Sequence, residues 1–174
     1  MNILVTGGAG FIGTNLIKRL LNEGHKVHSL DDYSTGSKKN HQRGCRYMVG
    51  KVEAKSSQAN LVQNFDLIYH LAGLSRIQPS FNNPNATFEA NTVGTQEICE
   101  FARTTNAKIV YAGSSSKHHD PYQSPYATYK YLGEEVCKMY RKTYGMDIEI
   151  VRFYNVYGPK EVIDGDWAAV IGIW

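Results

Sequence analysis

Short apolar runs alternate with longer amphipathic stretches along the whole chain. Asn2-Ile3-Leu4-Val5-Thr6 is apolar without alternation and runs into glycines, which predicts a strand buried on both faces of a parallel sheet. After Gly13, Leu16, Ile17, Leu20 and Leu21 recur at helical spacing, and Asn22-Glu23-Gly24 supplies a stop. Lys26-Val27-His28-Ser29-Leu30 predicts the next strand, ending at Asp31. A polar stretch over 32–44 follows, then a strand near 46–49 and a weak helix over about 53–64. Asp66-Leu67-Ile68-Tyr69-His70 and Lys108-Ile109-Val110-Tyr111-Ala112 read as the fourth and fifth strands. Between them, Phe88, Val93, Ile98 and Phe101 predict one long helix over 85–105. Ser124 and Pro125 form an N-cap and first-turn pair opening a helix that closes at Gly145, and a sixth strand spans 148–153. Strands alternating with helices predict an α/β fold: a Rossmann-type doubly wound parallel sheet with helices on both faces.

Composition narrows the class. The 174 residues are 42% apolar and 20% charged, a globular make-up of one-domain size, so residues 1–174 read as a single domain. The net charge of +3 comes without a basic block and gives no footing for nucleic acid. Three cysteines, Cys45, Cys99 and Cys137, are widely spaced and without CxxC, which suits reduced thiols. No apolar run approaches the ~20 residues of a membrane span. The expectation is a soluble cytoplasmic protein with neither nucleic-acid nor membrane partners.

Chemistry enters at Thr6-Gly7-Gly8-Ala9-Gly10-Phe11-Ile12-Gly13. Gly8, Gly10 and Gly13 form G-x-G-x-x-G after a predicted strand and at the start of a predicted helix. Glycines there permit a tight turn and let a pyrophosphate approach helix N-terminal amides. Asp31 closes the second strand 18 positions after Gly13, near the ~20 of a dinucleotide fingerprint. A carboxylate there accepts from the adenosine ribose hydroxyls and repels a 2′-phosphate, so NAD is expected over NADP.

Tyr126 and Lys130 stand four apart on the helix behind Ser124 and share a face. A tyrosine acting as a base near pH 7 needs its pKa lowered by roughly three units, about 4 kcal/mol, which nearby cations supply. Of the twelve tyrosines, only Tyr126 carries such an argument. Lys38-Lys39 read as a solvated turn, and His118-His119-Asp120 as an exposed loop, since adjacent histidines diverge and no third ligand stands at useful spacing. No metal site is expected.

Taken together, several segments resemble the extended short-chain dehydrogenase/reductases, in particular the NAD-dependent nucleotide-sugar epimerase/dehydratase branch and its UDP-glucose 4-epimerase-like members. They are Gly7-x-x-Gly10-x-x-Gly13, Leu30 to Gly36, His70-Leu71-Ala72-Gly73, Asn91 to Thr95, Ser114-Ser115-Ser116, Ser124-Pro125-Tyr126 with Lys130, and Arg152 to Pro159. The resemblance implies that Gly7, Gly10, Phe11, Ile12 and Gly13 cradle the NAD pyrophosphate and that Asp31 holds the adenosine ribose. It implies that Leu71, Ala72 and Gly73 form a backbone wall under the cofactor, with Asn91 at the cofactor edge and Phe153 and Tyr154 against the nicotinamide. Ser116 matches the family's catalytic Ser/Thr, Tyr126 its general base and acid, and Lys130 its ribose-binding lysine that lowers the tyrosine pKa. Asn155 would reach the diphosphate of a nucleotide-diphosphate sugar. Arg76 follows the fourth strand at its carboxyl end, where open sheets bind ligands, and is a further substrate candidate.

The expected reaction is NAD-dependent epimerisation through a transient keto sugar, Tyr126 moving the proton. Nucleotide-sugar 4,6-dehydratases and decarboxylases are the alternatives, but they place acidic residues after the serine, where this chain has Lys117-His118. A further alternative is a non-catalytic NAD-binding module left by truncation; the Ser116, Tyr126 and Lys130 set speaks against it. The sequence departs from the family pattern in the short segment between Ser116 and Tyr126 and in Val49-Gly50-Lys51-Val52, which lacks the usual acid. The family's sugar-nucleotide lobe would follow Trp174, so the 174-residue chain is expected to bind NAD and turn over sugar nucleotides poorly. Helices 85–105 and 126–144 carry Phe88, Ile98, Tyr129, Val136 and Tyr140, which predicts a homodimer through them.

Overall fold

The computed structural model describes residues 1–59, 61, 64–118 and 120–162. Six strands form one sheet: β1 Asn2–Thr6, β2 Lys26–Asp31, β3 Arg46–Val49, β4 Leu67–His70, β5 Lys108–Ser114 and β6 Ile148–Phe153. Every pairing is parallel, in the order β3-β2-β1-β4-β5-β6. The chain moves outward from β1 through β2 and β3, then crosses back to β4. A crevice therefore opens at the strand carboxyl ends between β1 and β4, where such sheets bind ligands. The expected doubly wound sheet is the one observed.

Strand alternation sends side chains into two cores. Ile3 and Val5 join Val27 and, from helix α1 (Phe11–Asn22), Ile17 and Leu20 on one face. Leu4 joins Leu30, Ile68 and Ile109 on the other, beneath Ile98 and Cys99 of α5 (Gly94–Thr105) and Cys137 and Tyr140 of α6 (Pro125–Tyr144). Burial on both faces is what the unbroken apolar run of β1 anticipated.

Three elements differ from expectation. Of the helix expected over 53–64, α2 spans Lys55–Ala59, with residues 60, 62 and 63 outside the described ones, and the unexpected α3 spans Ile77–Asn82. The single helix expected over 85–105 is α4 (Pro84–Phe88), a π-helical turn at Glu89–Val93, and then α5. That wider turn accommodates the buried Asn91, whose side chain bonds the backbone of Leu74 rather than the helix's own carbonyls. Ser124 caps α6 by accepting from Ala127 N, and Gly145 ends it at φ 66°, as the capping signals foretold.

Candidate active site

Apart from Gly8, Asn91 and the exposed Tyr154, the residues expected at the site line one cleft of about 820 Å³ at the carboxyl edge of the sheet. One end is built by the β1–α1 turn. Gly7 has φ +72°, and a Cβ on it would lie 2.8 Å from the backbone N of Ala72. A Cβ on Gly13 would overlap the Gly7 carbonyl, so these glycines close the turn on itself. Gly10 differs: a Cβ there would meet only the Gly7 oxygen, at 3.2 Å. No side chain caps the N-terminus of α1, and its first turn carries no acid. The amides of Phe11, Ile12 and Gly13 thus bring the positive end of a twelve-residue helix to the cleft, a fit for a pyrophosphate.

Asp31 sits at the end of β2, its carboxylate accepting from Ala9 N through Oδ2 and from Tyr33 N through Oδ1, both at 2.8 Å. Each oxygen keeps a lone pair for the paired hydroxyls of a ribose. Burial raises the Asp31 pKa, while the two backbone hydrogen bonds oppose that rise.

The wall Leu71-Ala72-Gly73 passes along the cleft between the two ends. Asn91 is 1% exposed and spends its amide on Leu74, accepting from its N at 2.8 Å and donating to its O at 2.9 Å. The expected cofactor contact is therefore corrected: Asn91 supports the wall from behind and does not line the cleft.

At the other end β5 finishes in Ala112-Gly113-Ser114 and α6 begins at Pro125, bringing Ser114 and Tyr126 together. The Tyr126 hydroxyl donates to Ser114 Oγ at 3.3 Å, and Ser80 Oγ of α3 accepts from Tyr126 N at 3.1 Å. Ser116, named from the sequence, lines the cleft on a 3₁₀ turn, but its Oγ donates to Ser114 Oγ at 2.8 Å instead of meeting Tyr126. The strand continues one residue further than Ala112-Gly113 before the chain turns, so Ser114 is the serine left facing Tyr126.

Lys130 also departs from expectation. One turn below Tyr126, its ammonium is buried, donates to the Ala112 carbonyl and lies 4.6 Å from the Tyr111 ring centroid. Desolvation lowers its pKa to about 8, partly offset by Cys137 and Glu134. Burial raises the Tyr126 pKa; the Ser114 hydrogen bond and the charge of Arg76 pull it down. Arg76, at the N-cap of α3, is a cation whose charge reaches the phenol.

Sequence reasoning also missed Glu134 and Arg152. Glu134 is 1% exposed, and Arg152 of β6 donates to it through Nη2 at 2.8 Å and Nε at 3.0 Å. A Cβ on Gly113 would come within 2.6 Å of the Glu134 carboxylate, so the glycine before Ser114 makes room for the pair. The pair ties α6 to the end of β6, from which Phe153 and Asn155 reach the cleft. Among the described residues no acidic and histidine cluster suits a metal; His119 of the His118-His119-Asp120 segment lies outside them. Likewise, among the described residues no helix is long and apolar enough to cross a membrane.

A doubly wound sheet with a glycine turn, an acid at the end of β2 and a Ser–Tyr–Lys group in one cleft defines a dinucleotide-dependent enzyme fold. The chain belongs to the NAD dependent epimerase/dehydratase family, whose model matches residues 3–172, and NAD is its cofactor. It is similar to a putative UDP-glucose 4-epimerase of Methanocaldococcus jannaschii, 32% identical over 187 aligned positions covering 99% of this chain and 61% of that protein. It is 29% identical to UDP-glucuronic acid decarboxylase 1 of Xenopus tropicalis, covering 91% of this chain and 42% of that one. The crystal structure of a UDP-glucose 4-epimerase with UDP-glucose from Thermotoga maritima superposes with a TM-score of 0.94 at 26% identity, over 99% of this chain and 61% of its own. The chain thus spans less than two thirds of the length of these relatives.

Proposed function

We propose that this chain provides the NAD-binding and proton-transferring part of a nucleotide-sugar 4-epimerase. The observation that carries the reading is the meeting of Tyr126 and Ser114 in the same cleft as the glycine turn and Asp31. Gly7, Gly10, Phe11, Ile12 and Gly13 would hold the pyrophosphate, Asp31 the adenosine ribose, and Leu71, Ala72, Gly73 and Phe153 the rest of the dinucleotide. Bound NAD supplies the acceptor and donor of hydride at the sugar carbon.

Tyr126 takes the proton of the sugar hydroxyl and later returns one to the keto oxygen. Ser114 holds that oxygen beside the phenol, and Ser116 orients Ser114 from behind. Arg76 biases Tyr126 toward the phenolate, and Asn155 reaches the substrate diphosphate. The buried Lys130 fixes the Ala112 carbonyl at the strand end and keeps a positive charge under the reacting group.

A decarboxylase has a claim through the relatives and a dehydratase through the family, yet each wants an acid beside the reacting serine, where Lys117 and His118 stand. The test is isomer conversion of UDP-glucose and UDP-galactose with NAD. A Tyr126→Phe variant should lose turnover and keep NAD; release of carbon dioxide from UDP-glucuronic acid, or a 6-deoxy-4-keto product from UDP-glucose, would move the assignment to the alternatives.

The same reading extends to assembly and location. Phe88 packs edge-on against Tyr129 at 5.2 Å, and Phe88, Leu132 and Met139 are 40%, 36% and 43% exposed on α4 and α6, an apolar face suited to a second copy. Sedimentation at tens of micromolar, an order-of-magnitude choice for an interface of ordinary size, should show a dimer. The three cysteines form no disulfide, in keeping with a reducing cytoplasm.

A further inference from the structure

His70 ends β4 and is 1% exposed, with its ring held between two threonines. Nδ1 lies 2.7 Å from Thr6 Oγ1 and Nε2 lies 3.2 Å from Thr95 Oγ1. The protons on this chain of groups can be assigned by elimination. The Asn91 carbonyl can only accept, so Thr95 donates its hydroxyl to it, at 2.7 Å. Thr95 Oγ1 then has only lone pairs to offer, which makes His70 Nε2–H the donor. A neutral imidazole has one N–H, so Nδ1 accepts and Thr6 supplies the hydroxyl proton. Thr6 Oγ1 in turn accepts from Ala72 N at 3.2 Å. The result is a directed line from the Ala72 amide through Thr6, His70 and Thr95 to the Asn91 carbonyl.

Both ends of the line matter to the cleft. Ala72 belongs to the wall, and its backbone N is the atom a Gly7 Cβ would strike at 2.8 Å, so wall and phosphate turn are in backbone contact. Asn91 clamps Leu74, two residues further along the same segment. Protonating His70 would put a second N–H against Thr6 and strand the Thr6 hydroxyl proton in a site where Thr6 is 0% exposed. The charged group facing the ring is Lys130, and Tyr111 stacks at a tilt 5.7 Å away; neither offers an anion to a cationic imidazole. Burial and Lys130 accordingly push the His70 pKa down to about 3.

We propose that His70 is a positioning residue for the cofactor: locked as the neutral Nε2–H tautomer, it sets the Ala72 amide through Thr6 and so holds the dinucleotide wall against the glycine turn. The inference rests on the reading of this cleft as the NAD site.

Long-range ¹H–¹⁵N correlation spectra of histidine-labelled full chain should show His70 with a protonated Nε2 and a bare Nδ1, unchanged from pH 5 to pH 8. An Nδ1–H tautomer, or titration in that range, overturns the proposal. NAD affinity gives the second reading. Thr6→Val and His70→Gln should each weaken NAD binding about tenfold, the scale of one buried hydrogen bond. Thr6→Ser should bind as the wild type does, and the Thr6→Val/His70→Gln double variant should lose no more than either single one. Wild-type affinity in both single variants, or losses that add, overturns the proposal while leaving the NAD site intact. Failure of the unaltered protein to bind NAD overturns both.

Discussion

The hydroxyl of Tyr126 lies 3.3 Å from Ser114 Oγ, and Ser114 Oγ is also the group to which Ser116 donates at 2.8 Å. Ser114 is therefore the junction of the Tyr126 end of the cleft, with Ser116 one hydrogen bond removed. In an assay of nucleotide-sugar turnover, Ser114→Ala should lower kcat by about 100-fold, the low end of a positioned acid–base group. Ser116→Ala should cost about tenfold or less, the scale of a lost orienting hydrogen bond. Steady-state kinetics on the two variants decides the order, and a reversed order would return the catalytic role to Ser116.

The glycines separate folding from binding. Gly13→Ala forces a Cβ into the Gly7 carbonyl and should unfold the turn, seen as a large drop in Tm. Gly10→Ala meets only one atom at 3.2 Å and should leave Tm within a few degrees while blocking NAD. Calorimetry and NAD titration on the pair check this. An equal loss of stability in both would refute it.

Asp31 should discriminate between cofactors. Two ribose hydroxyls can donate to its oxygens, whereas a 2′-phosphate brings like charge at contact distance, at a cost of several kcal/mol, so NADP should bind roughly 100-fold more weakly than NAD. Burial raises the Asp31 pKa, so its protonation begins at a higher pH than for an ordinary aspartate. NAD affinity should accordingly start to fall, on acidification, before the usual aspartate range is reached. Titration of both cofactors across pH measures each effect.

The buried Lys130 ammonium carries a stability cost. Its folded pKa of about 8 lies below the ordinary 10.5, so the unfolded chain holds the extra proton between those values. The penalty is complete below pH 8, about 3 kcal/mol on the scale of 1.36 per unit, and fades as pH rises toward 10.5. Lys130→Met should raise Tm by several degrees at pH 7, with the gain shrinking between pH 8 and pH 10.5. Thermal melts at four or five pH values would expose a flat or opposite trend.

The Glu134–Arg152 pair is buried on one side only, Arg152 keeping 28% of its side chain exposed. Arg152→Ala takes the guanidinium from a Glu134 carboxylate that is 1% exposed and should destabilise by about 3 kcal/mol. The Glu134→Met/Arg152→Leu double variant should recover most of that loss, because no lone charge remains. Urea titrations of the three proteins test it, and a double variant as weak as the single one would contradict it.

The chain alone determined the sheet and the glycine turn with Asp31 at one end of the cleft. Those depend on local period and backbone chemistry: an apolar run flanked by glycines can be little else than a buried strand entering a tight turn, and Asp31 lies at a fixed spacing from that turn. Tyr126 and Lys130 were legible for the same reason, since positions four apart share a helix face wherever the helix lies. The choice between Ser114 and Ser116 was not legible, because it depends on where β5 stops pairing with β6, a matter of register between strands distant in sequence. Nor was the turning of Lys130 toward the Ala112 carbonyl, or of Asn91 toward Leu74, because each side chain answers to a backbone group brought near only by folding. Helical spacing gave no hint of the π-helical turn at Glu89–Val93, which follows from burying Asn91 against the wall rather than from any residue preference. Local pattern decided which elements form; burial of polar groups that had to find partners decided how the site is wired.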